Sequence, residues 1–248
     1  MNIIYMLWLR EVKRYIRSRT QIVASMGQPL LYLLALGFGL GPVFEKSGNG
    51  SYVQFIAPGM VGMTILFTST FSGVGLLFDR QLGALKATLV SPAPRIIIMT
   101  GRTLGGATVA VIQGLLVFIV CLIAGFRPVS MAAIPAAFFF MAIIAIVFGG
   151  LGTAIGSALK DIQGFQLIMN FIVMPMFFLS GALFPLTNLP RLLGLVTNVD
   201  PLSYGIDGLR SALIGISHYG MGVDALVLIL IAAAFQILGA YFFSKIEV

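Results

Sequence analysis

The chain has 248 residues, 59% hydrophobic and only 9% charged, with 15 Lys and Arg against 8 Asp and Glu for a formal net charge of +7. Soluble domains carry about a quarter of their residues as charges, so this composition and a mean hydropathy of +1.05 exclude a soluble enzyme and set the class as an integral membrane protein. The apolar runs suit helical spans of ~20 residues and lack the alternation that barrel strands show over about 10 residues.

In chain order, residues 1–20 come first and do not read as a cleavable signal, because their positive charges follow the apolar positions and no small-residue cleavage site comes after them. At 100° per residue Ile4, Trp8, Val12, Tyr15 and Ile16 share one face, and Arg10, Lys13, Arg14 and Arg17 the opposite one. This predicts an interfacial helix, with Trp8 and Tyr15 at headgroup depth and Arg10, Lys13, Arg14 and Arg17 toward anionic lipid. Six spans follow, at about 21–41, 55–78, 103–126, 131–158, 165–186 and 222–243, and they leave no room for a separate soluble domain. The fold class is therefore all-α and polytopic, one transmembrane domain over 1–248.

The charges set the topology. Arg10, Lys13, Arg14, Arg17 and Arg19, then Arg80, Lys86, Arg95 and Arg102, then Lys160 and Lys245 fall on one side, while only Lys46, Arg127, Arg191 and Arg210 fall on the other. By the positive-inside rule both termini and the 78–95 segment are expected in the cytoplasm, with the chain in the inner membrane. The net charge is a topology signal and gives no reason to expect nucleic acid as a partner. Cys121, alone in a span, reads as a packing residue.

Several activities lose support from what is absent. With these boundaries no Asp, Glu, Lys, Arg or His falls inside a span, and Asp224 stands only at the start of the last. A gradient-driven carrier usually keeps an ionisable group at bilayer depth. An intramembrane hydrolase would need an acid pair or a histidine cluster, and the one histidine, His218, lies in a loop. No cofactor or metal site is expected in this chain. The stretch GPVFEKS at 41–47 has Glu45 where a phosphate loop needs Gly before its Lys, and GFGLG at 37–41 ends a span where a dinucleotide turn would open a helix. If ATP drives the protein, another chain must bind it.

Between the second and third spans lies FDRQLGALKATLVSPAPR, residues 78–95. Leu82, Leu85 and Leu89 keep helical spacing, Asp79 can cap the start, and Pro92 and Pro94 stop the run. The residues predict a short amphipathic helix over 79–90, fitted equally to a groove on a partner or to a lipid surface.

Three stretches resemble one family in the right order: FDRQLGALKATLVSPAPRIIIMTGRTLGG from Phe78, FFLSGALFPLTNLP at 177–190 and VDPLSYGIDGLRSAL at 199–213. They are similar to ABC-2 type transporter permeases, most of all those of the drug-export and nodulation type. The resemblance implies the membrane subunit of an ATP-binding cassette exporter that works by alternating access. It has no catalytic site of its own, and ATP and Mg are held by a partner ATPase. The permease pairs with itself as a homodimer or with a paralogous permease. It also implies that Asp79, Arg80, Gln81, Leu82, Gly83, Leu85, Lys86 and Leu89 form a cytoplasmic coupling helix on the ATPase. The family often has Glu where Gln81 stands and an acid where Lys86 stands.

On the outer side Pro175 can bend the fifth span, and Ser180, Gly181 and Pro185 interrupt it. Two short helices are expected next, one capped by Thr187 or Asn188 and one after Pro201 carrying Tyr204, Asp207 and Arg210, both dipping back toward the bilayer as re-entrant segments or forming an ordinary loop. Gly149, Gly150, Gly152 and Gly156 have the spacing of close helix packing. A translocation path is expected along Thr64, Thr68, Phe71, Gln166, Asn170, Met174 and Phe177, apolar enough for a lipid-like cargo, although the same side chains would also suit lipid. In the resembled family spans one, two and five meet at the dimer axis around that route. Two readings stay open beside an exporter: an assembly or sensor subunit that moves nothing, and, less favoured, a gradient-driven carrier.

Overall fold

A computed structural model describes residues 3–46, 51–83, 94–186 and 190–246, and among them finds helices and no strand. They are α1 (Ile3–Arg17), α2 (Arg19–Lys46), α3 (Tyr52–Gln81), α4 (Arg95–Ile123), α5 (Ile134–Ala158), α6 (Ile162–Leu179), α7 (Arg191–Val199), α8 (Pro201–Ile214) and α9 (Met221–Ser244). Six of these, α2 to α6 and α9, are long and apolar enough to cross a membrane. Each falls where a span was expected. The boundaries differ most at α4, which starts at Arg95 rather than 103, and at α6, which ends at Leu179 rather than 186.

Pro94, extended at ψ 133°, leads directly into α4, since a proline costs nothing where the first helical N–H would be unpaired. Ser180 and Gly181, the latter at φ +77°, end α6 because the left-handed backbone there cannot continue a helix. About two turns earlier the helix widens to π geometry over Met169–Val173, the local adjustment that Pro175 requires when its ring meets the preceding turn.

The core is built around α3 and α5, which pack face to face with their backbones in contact. A Cβ on Gly152 would stand 2.8 Å from Thr70 Cα, and one on Gly156 would stand 3.1 Å from the carbonyl carbon of Gly73. The glycines of 149–156 are thus packing residues, because dispersion between helices needs close approach where lipid offers no hydrophobic drive. Gly149 faces Thr103 of α4, and Gly150 faces Phe235 and Gln236 of α9. Around this pair Ile56, Met60, Ile65, Phe140, Ile144 and Phe148 are buried.

The bundle has two differently built ends. At one, Leu7, Leu76, Ile98, Met99, Phe243 and Ile246 form a small cluster that draws α1 and the end of α9 together with the adjoining ends of α3 and α4. At the other, α7 and α8 follow α6, and Leu213 accepts a hydrogen bond from Val129 N at 2.9 Å. Pro190 precedes α7, while the residues expected to cap it, Thr187 and Asn188, lie outside the described residues.

Because the obstacle at Gly152 is backbone, no rotamer can relieve it. Gly152→Val should therefore destabilise the fold by more than the ~1–3 kcal/mol of ordinary overpacking. Gly194→Ala in α7, where no atom lies within 4 Å, should be neutral or slightly stabilising. Thermal unfolding in detergent checks both, and a mild effect at Gly152 would contradict the close α3 to α5 contact.

Candidate functional site

At the end shared by the termini, the sequence places five charged side chains on three helices that meet. Asp79, in the last turn of α3, is paired with the guanidinium of Arg102 from α4, and its Oδ2 also lies 3.2 Å from Arg10 Nη2 of α1. Glu11 binds Arg10 at 3.1 Å and Arg14 at 2.5 Å. Arg102 is only 8% exposed and Asp79 16%, so the central pair is largely withdrawn from water. Burying either charge alone would be costly, and the fold answers by bringing three cations to two carboxylates.

Several expectations change here. Asp79 does not start a helix. It belongs to α3, which runs through Gln81, caps at Leu82 and turns at Gly83 with φ +73°. The apolar register of 52–78 simply continues for another turn, and Gly supplies the left-handed residue that stops it. The coupling helix cannot therefore begin at 79. Leu85, Lys86 and Leu89 lie outside the described residues, and Gln81 and Leu82 are exposed. Arg80, expected on the wet side, donates to the Leu159 carbonyl at the end of α5 at 3.3 Å. Arg95 donates to the carbonyls of Ser244 at 2.5 Å and Ile246 at 3.1 Å. The two ends of the 84–93 connection are thus tied to α5 and to the C-terminal end of α9.

The N-terminal helix also faces differently. Leu7, Val12 and Tyr15 are buried, and Trp8 Nε1 donates to Thr108 Oγ1 of α4 at 2.9 Å. Small residues make the seat, since Gly101 and Gly105 face Ile4, Leu7 and Glu11. Trp8 and Tyr15 are therefore turned toward the bundle, and burial raises the Tyr15 phenol above its ordinary pKa. Arg10 and Arg14 are engaged by acids, whereas Lys13 and Arg17 remain exposed on the outer face.

Of the seven residues of the expected path, Thr64, Thr68 and Phe71 line one cavity, and the other four are carried by α6. Thr68 Oγ1 donates to Gln113 Oε1 of α4 at 2.8 Å, Thr64 bonds back to the Met60 carbonyl, and Phe71 is 41% exposed. Gln166 and Asn170 are exposed on α6 and Met174 is half-buried. Phe177 is fully buried, its ring 6.1 Å from that of Phe67 and 6.5 Å from that of Tyr32.

At the opposite end, Arg210 is buried, donates to the Gly181 carbonyl at 2.8 Å and lies 4.2 Å over the Phe55 ring. Burial lowers its pKa to about 10, with Asp207 opposing the shift, so it stays charged. Asp207 accepts from the backbone N–H groups of His218 and Tyr219 and from Ser217 Oγ, which fixes the turn into α9. Tyr204 donates to the Asn198 carbonyl at 2.7 Å and stacks on Tyr219. Pro201 is buried at the start of α8, Pro185 is half-buried after α6, and Asp200 caps α8 by accepting from Leu202 N at 2.9 Å. Burial raises the Asp200 carboxyl to about 7 against those stabilising hydrogen bonds.

The statement that no ionisable residue lies inside a span is corrected by the longer helices. Arg102 lies two turns into α4, and Asp224, in the first turn of α9, is fully buried with no hydrogen-bond partner on either oxygen among the described residues. Both stand near helix ends. Glu11 was overlooked because it is the one acid in a basic helix, yet its spacing from Trp8 and Tyr15 put it on the inward face.

Comparison with known proteins places this geometry in context. The model of a family described as ABC-2 type transporter matches residues 3–214. The chain is 29% identical over 211 residues to Nodulation protein J of Rhizobium meliloti (strain 1021), covering 83% of this chain and 79% of that protein. It is 26% identical over 238 residues to the inner membrane transport permease YadH of Escherichia coli (strain K12), covering 94% of this chain and 91% of YadH. A similarity of 29% over 214 residues extends to Nodulation protein J of Rhizobium leguminosarum bv. viciae, with 84% and 81% covered.

The charge cluster makes a quantitative prediction. Asp79→Asn leaves Arg102 buried and unpaired, which should cost about 3–5 kcal/mol. Removing the cation as well, in Asp79→Asn with Arg102→Met, should recover at least ~1 kcal/mol of that loss. Arg10→Ala, at the exposed rim, should cost less than ~1 kcal/mol. Strict additivity of the two central substitutions in thermal unfolding would show that Asp79 and Arg102 are not coupled.

Proposed function

The chain belongs to the ABC-2 type transporter family, and from that premise we propose that it is the membrane-spanning half of an exporter, driven by ATP-binding cassette subunits that bind ATP and Mg. Permease subunits of this family hold no catalytic site. The chain itself is a multi-pass inner-membrane protein with six apolar helices. On our reading two copies, or one copy and a paralogous permease, stand together on an ATPase dimer. The termini and the 84–93 connection face the cytoplasm, as the Lys and Arg distribution favours. Closure of the ATPases around ATP presses on that connection and shifts the spans between inward-open and outward-open arrangements. The cargo is a hydrophobic, lipid-like molecule, a drug or a glycan.

The observation that carries this reading is how the 84–93 connection is held. Asp79 and Arg80 on its entering side reach α1, α4 and α5, and Arg95 on its leaving side reaches the end of α9. A force applied there is passed from α3 to four further helices through ion pairs and hydrogen bonds. The buried ionisable groups Arg102 and Asp224 stand within about two turns of helix ends rather than mid-helix, which gives a gradient-driven carrier no support.

Replacing both Leu85 and Leu89 with Asp should abolish capture of the ATPase, because carboxylates without partners would enter an apolar contact at several kcal/mol. Lys86→Glu should instead weaken coupled ATP turnover in a salt-dependent way, since rim charges steer more than they hold. A pull-down with turnover measured in liposomes checks this. Undiminished capture and turnover in the double variant would contradict docking by this segment and leave its basic residues as a topology signal.

A further inference from the structure

At the end of the bundle away from the Asp79 cluster, two carboxyl groups from different helices meet out of contact with water. Asp207 of α8 is 3% exposed, and Asp224, in the first turn of α9, is 0% exposed. The two stand within hydrogen-bond reach of each other. They are not equivalent. Asp207 accepts from His218 N at 2.8 Å, from Tyr219 N at 2.9 Å and from Ser217 Oγ at 3.1 Å, so the turn into α9 solvates its negative charge. Asp224 has no donor on either oxygen among the described residues.

The neighbouring donors serve other acceptors. The Tyr204 hydroxyl donates to the Asn198 carbonyl, and the Tyr219 hydroxyl to Asn198 Oδ1. Arg210 turns to the Gly181 carbonyl and the Phe55 ring. The titratable and charged groups that face the pair are thus Tyr204 and Arg210 of α8, with His218 and Tyr219 of the turn. Of the other helices packed on α9, α5 carries no titratable residue, and α4 brings only the buried Cys121 thiol to this end. Two ionised carboxylates would leave one negative charge in excess of Arg210 and would strand the Asp224 oxygens where no dipole answers them. One shared proton removes both problems, since carboxyl groups this close do not both ionise.

We propose that Asp207 and Asp224 form a proton-binding site, in which Asp224 carries a proton and donates it to the Asp207 carboxylate, latching the first turn of α9 to α8. The site is independent of the exporter reading and would stand equally in a subunit that moves nothing. A divalent cation fits it less well, because such an ion takes about six or more oxygens and both Asp207 oxygens already accept from backbone N–H groups. The unfolded chain, with ordinary carboxyl groups, does not hold this proton at neutral pH. The folded state therefore binds more protons than the unfolded one, and stability falls as pH rises until the folded pair itself ionises. Beyond that point the two carboxylates repel, and α8 is released from the start of α9.

The test uses the full chain in phosphatidylcholine vesicles for infrared spectra and in detergent for thermal unfolding, between about pH 6 and about pH 9. The infrared spectrum at the acidic end should contain a protonated-carboxyl carbonyl band that Asp224→Asn removes and Asp200→Asn leaves in place. The wild-type unfolding midpoint should fall more steeply with pH than that of Asp224→Asn, by about 3–5 °C per pH unit, the slope of one linked proton in a chain of this size. At the alkaline end the backbone N–H groups within 215–220 should exchange with solvent at least about ten-fold faster in the wild type than in Asp224→Asn. If Asp224→Asn does not fold, Asp207→Asn takes its place and should lose the same band, because its amide would donate to an ionised Asp224. A wild-type spectrum without the band, a band that survives in Asp224→Asn, or equal pH slopes would overturn the site. Equal exchange in the two proteins would overturn the latch. Stabilisation by calcium that Asp224→Asn abolishes would overturn the proton in favour of a metal ion.

Discussion

The Asp79 carboxylate, placed in the last turn of the second span, is the constraint on which one end of this bundle depends. It is mostly buried, so the chain must supply it with cations, and it draws Arg102 from α4 and Arg10 from α1 to the same point. Removing any one helix would strand a charge in a poorly hydrated place. That requirement explains why the N-terminal helix docks on the bundle. Its inward face carries Glu11 among Leu7, Val12 and Tyr15, and Glu11 matches the remaining guanidinium of Arg14. The cavity lined by Thr64, Thr68 and Phe71 is bounded by the same helix.

The remainder of the fold is organised so that this end can act on the rest. The α3 to α5 contact has backbone against backbone at Gly73, Gly152 and Gly156, and such a contact transmits a displacement with little slack. The opposite end is built from different materials. There Arg210, Asp207 and Asp200 hold α8 through backbone groups, and Tyr204 and Tyr219 stack above them. In an ABC-2 permease, where force arrives from an ATPase at one face, a stiff spine between a charged end and a hydrogen-bonded opposite end is a reasonable lever.

The spans were legible because apolar length is a direct consequence of the bilayer. Helix α8, with Tyr204, Asp207 and Arg210, was legible from Pro201. What escaped has physical causes. Continuation of α3 through Gln81 was hidden because Asp79 is as good a cap as it is a terminal-turn residue, and only its partner on α4 decides between them. Arg102 read as a loop cation because the third span was started at 103, whereas Pro94 had already marked the true beginning. The inward turn of Trp8 and Tyr15 depends on Gly101 and Gly105, almost a hundred residues away. Gln113, one amide in a long apolar run, had no local signal that it would pair with Thr68.

The central claim is that Asp79 makes α1 and α3 one rigid body while nucleotide-driven closure moves the spans. The most direct measurement is the distance between spin labels at Lys13 and Gln81, both exposed, with the buried Cys121 replaced, in complexes free of nucleotide and trapped with ATP. The account predicts one narrow distribution that does not change on trapping in the wild type, and a broadened, nucleotide-dependent one in Asp79→Asn. A wild-type distance that shifts with nucleotide, or an Asp79→Asn distribution as narrow as the wild type, would contradict it.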